Sequence, residues 1–200
     1  MSVSIKLLAR FRKQFENDRL RHFVFVYGTL KKSNKQSLGK DFLKIGLMIL
    51  LNLDQPNHKV LLNDVNGQAK FICIARTLQK WPLVIASQYN IPYLLEKPET
   101  GHQIQGELYL IDEQMLNFLD EFEGHPDYYH RRKTDIITDD FGSFESWTYF
   151  LPNYKTSMLS LPMYSDYDSF GQHGLRYVER CDRDGQNADV GHTETSEIIS

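Results

Sequence analysis

Hydrophobic and polar positions along this chain change period several times, and each change marks an element. The run Phe-Val-Phe-Val-Tyr (23–27) is β-branched or aromatic without a break, the pattern of a strand buried on both faces. Shorter strand-like runs follow at 69–77, 83–86 and 103–111, and runs with partial alternation at 129–138 and 144–151. Between them, 113–123 carries a helical period: Ile111, Met115, Leu116, Phe118, Leu119 and Phe122 share one face while Gln114, Asn117 and Glu121 point away. Asp112 supplies an N-cap and Gly124 a stop, with Pro126 beyond it. Ahead of the first strand, Ile5, Leu8, Phe11 and Phe15 recur at helical spacing among Lys6, Arg10, Arg12 and Lys13. Residues 1–22 are therefore expected to form an N-terminal extension, an added surface helix or a frayed tail. A mitochondrial presequence is the lesser alternative, because Glu16 and Asp18 break the acid-poor composition of such a leader.

Two stretches do not fit this texture. The first, 33–54, contains Ile-Gly-Leu-Met-Ile-Leu-Leu (45–51), apolar all round but far short of the roughly 18 to 20 residues a membrane helix needs. The second begins at Cys181, where the chain turns polar, so 181–200 is expected to be a disordered tail. The expected domain is thus 23–180, interrupted by 33–54.

Composition narrows the function classes. A formal charge of −3 gives no basic footprint for nucleic acid. Cys73 and Cys181, the two cysteines, are far apart and in no Cys-x-x-Cys arrangement, which argues against a disulfide framework or structural zinc and fits a reducing compartment. The seven histidines are scattered without ligand spacing, so no metal is expected.

Two places carry candidate chemistry. The first strand ends at Gly28, where a glycine lets the backbone turn and approach a ligand. Thr29 and Leu30 then carry their main-chain N–H groups out of the ladder, beside the positive charge of Lys31 and Lys32, a layout suited to a carboxylate or an oxyanion. A plain turn is the ordinary reading of such a junction. The second place is Glu123, whose direction falls between those of Leu116 and Leu119. A carboxylate is thereby aimed at the apolar side in a last helical turn, where burial and the helix dipole both raise its pKa. The alternative is a helix-end glutamate that reaches solvent or pairs with Arg131.

Several separate motifs, in order, decide between these readings. Phe-Val-Tyr-Gly-Thr-Leu-Lys-Lys (25–32), Pro-Leu-Val-Ile-Ala (82–86), Asn-Ile-Pro (90–92), Gln-Gly-Glu-Leu-Tyr (105–109), Phe-Leu-Asp-Glu-Phe-Glu (118–123) and His-Gly-Leu-Arg-Tyr (173–177) resemble the γ-glutamylcyclotransferase-like superfamily. They are most similar to its γ-glutamylaminecyclotransferase branch, with its insect relatives of the troponin C-akin type. The resemblance implies an α+β fold, a small mixed β-barrel with packed helices and a pocket at its mouth. It implies Glu123 as the catalytic acid–base and Tyr27, Gly28, Thr29 and Leu30 as the substrate-binding loop, with Tyr129 and Arg131 as pocket support. Tyr167, Asp168 and 173–177 match a closing segment expected to pack over the pocket. No metal or organic cofactor is implied. The expected protein is a monomeric cytoplasmic enzyme acting on a small γ-glutamyl substrate, with neither nucleic acid nor membrane as partner.

Alternatives from other classes are a γ-glutamyl amino acid or glutathione cyclotransferase, and a non-catalytic binding module on the same fold. A nucleophilic hydrolase using Thr29 has little support, since no His–Asp pair is spaced around it. In the family, Tyr-Gly-Thr-Leu-Lys-Lys runs almost directly into Gln-Pro-Asn-His. Residues 33–54 therefore read as an insertion, expected to leave the barrel intact and to weaken or block the site.

Overall fold

The computed structural model describes residues 3–32 and 55–183; the expected insertion 33–54 and the greater part of the expected tail lie outside the described residues. Strand β1 (His22–Val26) organises the rest. Its alternation sends Phe23 and Phe25 into one core cluster and Val24 and Val26 into another, so both faces are buried as the apolar run predicts. At about 1.5 to 3 kcal/mol for each fully buried large apolar side chain, this strand carries much of the stabilisation of both clusters.

Strands β2 (Ala69–Trp81), β5 (His102–Ile111), β6 (His130–Thr138) and β7 (Gly142–Phe150) join β1 in a closed barrel of order β1-β5-β2-β6-β7. β1 runs antiparallel to β5 and parallel to β7, with Val24 opposite Tyr109 and Trp147. Closure leaves no unpaired edge to template aggregation. At Gly106 an added Cβ would stand 2.4 Å from the Val26 carbonyl oxygen and 2.5 Å from the Phe25 ring, so a side chain there would evict that ring. β2 extends to Trp81, beyond the expected end at 77. Its pairing with β5 shifts register between Arg76 and Lys80, and that bulge breaks the alternation on which the shorter boundary rested.

A second sheet, β4 (Ile91–Leu94), β3 (Leu83–Ala86) and β8 (Met163–Tyr164), lies in the order β4-β3-β8. Pro92 is tolerated because β4 is an edge strand, with nothing to pair on its outer side in that sheet.

Helix α1 (Val3–Gln14) forms where the helical spacing predicts one, with one face exposed and the other packed on the barrel. Leu7 and Phe11 are buried in the barrel's own core, with the Phe11 ring 6.3 Å from Phe23 and 5.3 Å from Phe141. The helix stops the end of the barrel at which β1 begins. After a single short turn of helix, α2 (Lys59–Leu62), the helix α3 (Glu113–Glu123) covers the second cluster with Met115, Leu116 and Leu119. Its limits are those the sequence predicts. Asp112 accepts a hydrogen bond from the Met115 N–H at 2.9 Å, and Gly124 ends the helix in the left-handed region at φ 66°. A 3₁₀ turn, Arg180–Asp182, runs from the end of the expected domain into the tail expected at 181–200, and Arg183 stacks on Tyr89 at 4.5 Å.

Candidate functional site

The site lies at the end of the barrel where β1 stops. Past Val26 the backbone leaves the ladder, and the hydrogen bonding of the next residues is one-sided. The carbonyl oxygens are taken: Gly28 accepts from the Lys31 N–H (3.1 Å), Thr29 from the Asn57 N–H (3.0 Å) and Leu30 from His58 Nδ1 (3.0 Å). The N–H groups of Gly28, Thr29 and Leu30 donate to no acceptor among the described residues. Three successive main-chain donors without acceptors, their carbonyls engaged, form a stretch suited to binding negative oxygens.

The loop is fixed from two sides. Asn57 Nδ2 donates to Thr29 Oγ1 at 2.8 Å, and the buried Glu107 carboxylate accepts from the Lys32 N–H and from Tyr109 Oη, each at 2.8 Å. Gly28 is needed for space rather than for an unusual dihedral. Its backbone lies outside the positive-φ set, and a Cβ there would stand 3.1 Å from Cγ of Pro92. The Leu30 side chain packs into the second core cluster, so Leu30 offers the site its N–H alone. Tyr27 closes the strand with its hydroxyl donated to the Tyr149 carbonyl at 2.9 Å.

Glu123 ends α3 beside this loop. It is half-buried and makes neither a hydrogen bond nor an ion pair among the described residues. Burial pushes its pKa up to about 7, with Arg180 the opposing influence. Its charge in turn helps raise the pKa of Tyr27, Tyr129 and Tyr149, behind burial as the main cause, which puts all three phenols within electrostatic reach of the carboxylate.

Arg131 does not pair with Glu123. It lies 2.9 Å from Asp120, with its guanidinium 4.7 Å over the Trp147 ring, while Asp120 also accepts from Tyr149 Oη at 2.7 Å. The reason is register. Asp120 stands one turn before Glu123 on α3, and β6 carries Arg131 opposite Tyr149 on β7. Tyr129 is buried against Tyr93, stacked at 6.2 Å, and edge-on to Tyr128 at 5.0 Å, so it walls the site.

The closing segment does reach the loop. Tyr177 is buried, its hydroxyl accepts from Asn57 Nδ2 at 3.2 Å and from Arg183 Nη2 at 3.1 Å, and its N–H donates to Ser169 Oγ at 3.2 Å. Gln55 ties the same segment down through Asp168 (2.9 Å) and the Ser169 N–H (3.0 Å). Asn57, Glu107, Tyr149 and Arg180 escape a reading of the residues one by one. Asn57 sits in what reads as a polar turn, and the other three reach the site only through pairing distant in sequence. Among the described residues no group of His, Cys, Asp and Glu is arranged to hold a metal ion, and no helix is long and apolar enough to cross a membrane.

A five-stranded barrel with packed helices, whose strand β1 runs into a loop of main-chain N–H groups without acceptors among the described residues, defines a class of fold: an α+β barrel with a half-buried carboxyl of raised pKa near that loop. The chain belongs to the family described as gamma-glutamyl cyclotransferase, AIG2-like, which matches residues 50–169. It is 43% identical over 161 residues to the gamma-glutamylaminecyclotransferase of Bos taurus, covering 80% of this chain and 83% of that protein. It is 41% identical over 167 residues to gamma-glutamylaminecyclotransferase C of Danio rerio, covering 81% and 96%. In three dimensions it is similar to the crystal structure of an AIG2-like protein from Mus musculus, with a TM-score of 0.67 and 38% identity over 83% of this chain and 100% of that one.

Proposed function

We infer that the protein is a γ-glutamylaminecyclotransferase, cyclising a γ-glutamyl amide such as γ-glutamyl-ε-lysine to 5-oxoproline with release of the free amine. The observation that carries the reading is Glu123, a carboxyl without a counter-ion, with its pKa pushed up to about 7, at the end of a helix beside three free N–H groups. Nucleophile and electrophile share one molecule, so holding the bent substrate supplies much of the rate.

In this reading the carboxylate of Glu123 takes a proton from the substrate's α-ammonium, and the amine nitrogen attacks the γ-carbonyl carbon. In the tetrahedral intermediate the ring nitrogen still carries two hydrogens; as the bond to the departing nitrogen breaks, the carboxyl returns the first proton to that nitrogen, and the second passes from the ring nitrogen to the same amine, leaving a lactam N–H and a free ammonium. No water is consumed, and both protons taken from the α-nitrogen end on the released amine. A group that must accept and then donate works best with a pKa near the working pH, and the raised value of Glu123 supports that double role. The N–H groups of Gly28, Thr29 and Leu30 hold the substrate's negative oxygens. Tyr27 and Tyr129 wall the site, and Arg131, engaged by Asp120, braces it.

The same reading makes the protein a monomeric cytoplasmic enzyme; the free thiols of Cys73 and Cys181 fit a reducing compartment. Residues 33–54 are read as an insertion that impairs activity. The test is to incubate the protein with γ-glutamyl-ε-lysine, γ-glutamyl-alanine and glutathione in parallel and measure 5-oxoproline. Release from the first in excess of the other two is expected. Release from glutathione or γ-glutamyl-alanine instead assigns another cyclotransferase specificity, and 5-oxoproline binding without turnover of any substrate makes the protein a binding module.

A further inference from the structure

One cation at the site is left over by the chemistry described above. Arg180 is exposed, in the 3₁₀ turn that follows the closing segment. Its guanidinium stacks 4.4 Å over the Phe122 ring and donates through Nη2 to the Phe122 carbonyl at 3.1 Å. Those two contacts fix its plane against the last turn of α3, immediately before Glu123 in the chain. Only one of its five N–H groups is engaged in this way, and among the described residues no carboxylate lies within ion-pair distance of it.

The other arginines near the site are occupied differently. Arg131 pairs with Asp120, and Arg183 donates to Tyr177 Oη and to the Val178 carbonyl. The closing segment that leads to Arg180 is tied to the binding loop through Tyr177, Asn57 and Thr29, so Arg180 is held at the rim and its place is set by the loop. Its charge reaches Glu123, opposing the effect of burial on that carboxyl. Besides the donors of Gly28, Thr29 and Leu30, the site thus has a second positive feature within electrostatic reach of Glu123, a planar guanidinium with uncommitted N–H groups.

We propose that Arg180 is a specificity-determining residue that binds a carboxylate on the departing amine of the substrate. The inference rests on the cyclotransferase reading of the site and deepens it by naming the preferred leaving group. A γ-glutamyl amide has one carboxylate on its glutamyl half, which the free main-chain donors hold. An amine that carries a second carboxylate places that group outside the reacting amide, toward the rim where Arg180 stands. A guanidinium fork matches a carboxylate with two parallel N–H···O bonds, which an ammonium does not reproduce.

The experiment uses two substrates that differ only in that group, the γ-glutamyl amides of 6-aminohexanoate and of hexylamine, with the full-length protein and its Arg180→Gln and Arg180→Lys variants. In the unaltered protein kcat/KM favours the carboxylate-bearing amide. In Arg180→Gln the ratio of the two kcat/KM values falls by about 10-fold, the lower end expected for a charge-assisted hydrogen bond at an open site, with the change in KM. Arg180→Lys recovers part of it. An effect of Arg180 on folding or on Glu123 moves both substrates together and leaves the ratio alone. A ratio unchanged in Arg180→Gln overturns the proposal. Dissociation constants for the same pair, by calorimetry in the Glu123→Gln background with and without Arg180→Gln, decide it independently of turnover. If the unaltered protein releases 5-oxoproline from neither amide, the cyclotransferase reading fails, and the ratio of dissociation constants still accepts or rejects Arg180 as the carboxylate's partner.

Discussion

Replacing Glu123 by glutamine removes a charge and keeps the shape, and its effect on stability is expected to run opposite to its effect on activity. An ordinary glutamate near 4.5 rises to about 7 here because burial disfavours the charged form. The folded protein therefore binds the proton more tightly than the unfolded chain. Stability is full below pH 4.5 and falls as pH rises from 4.5 through 7, where the folded state must ionise a carboxyl it prefers neutral. At about 1.4 kcal/mol per pKa unit, the cost above pH 7 approaches about 3.5 kcal/mol. That figure is an upper bound, since Glu123 is only half-buried. Glutamine pays no such cost. Denaturant unfolding of Glu123→Gln should match the unaltered protein at pH 4.5 and show it more stable by about 1 to 3 kcal/mol at pH 8. Turnover should drop by at least roughly 100-fold at every pH. In the unaltered protein kcat/KM should rise with pH to a plateau above 7, with about a tenth of the plateau at pH 6. Glutamine that destabilises equally at both pH values would show a carboxyl held by partners, and near-normal turnover would move the base elsewhere.

Three further outcomes follow from the geometry. Gly28→Val places its Cβ against Pro92, 3.1 Å away, and should weaken 5-oxoproline binding more than it lowers the melting temperature; equal losses would make Gly28 a packing residue only. Asp120→Asn frees Arg131 from its ion pair, so the acid limb of the pH–rate profile should move to lower pH as the guanidinium comes to favour the Glu123 carboxylate, at a cost in stability of about 1 to 2 kcal/mol for a partly exposed pair. An unmoved limb would mean that Arg131 stays on Trp147 and out of reach. Replacing 33–54 by a single glycine should leave the melting temperature intact and raise cyclotransferase activity, because Asn57 and His58 already hold the two flanks together through Thr29 and Leu30; unfolding or lost activity would make the segment part of the domain.

Local signals carried far in this chain, and long-range ones did not. Helix α3 was legible to the residue because its period, its Asp112 cap and its Gly124 stop all act within a few positions. β1 was legible because both of its faces are apolar. The free donors of the binding loop could be suspected from Gly28 alone, yet what leaves them free is the capture of the neighbouring carbonyls by Asn57 and His58, which no local pattern reports. The partner of Arg131 was open for the same reason: Asp120 and Glu123 differ by one helical turn, and only the pairing of β6 with β7 selects between them. α1 showed its amphipathic period plainly, but nothing in the period says that the surface it covers is the end of a barrel, opposite the site, rather than a flank.

The stopper made by α1 also sets an order of events for a chain emerging from the ribosome. α1 and β1 are synthesised first, yet β1 pairs with β5 and β7, and Phe11 packs on Phe141. Until β5 is made Phe-Val-Phe-Val has no native neighbour on either side, and until β7 follows it lacks one of the two and α1 has no hole to close. Contacts so distant in sequence slow folding and leave an apolar strand uncovered in the meantime. The charges nearest that strand while it waits are Arg19 and Arg21 before it and Lys31 and Lys32 after it, with Lys6, Arg10, Arg12 and Lys13 of α1 further out. The helix that later seals the barrel thus adds to the charge that flanks its most aggregation-prone segment during synthesis.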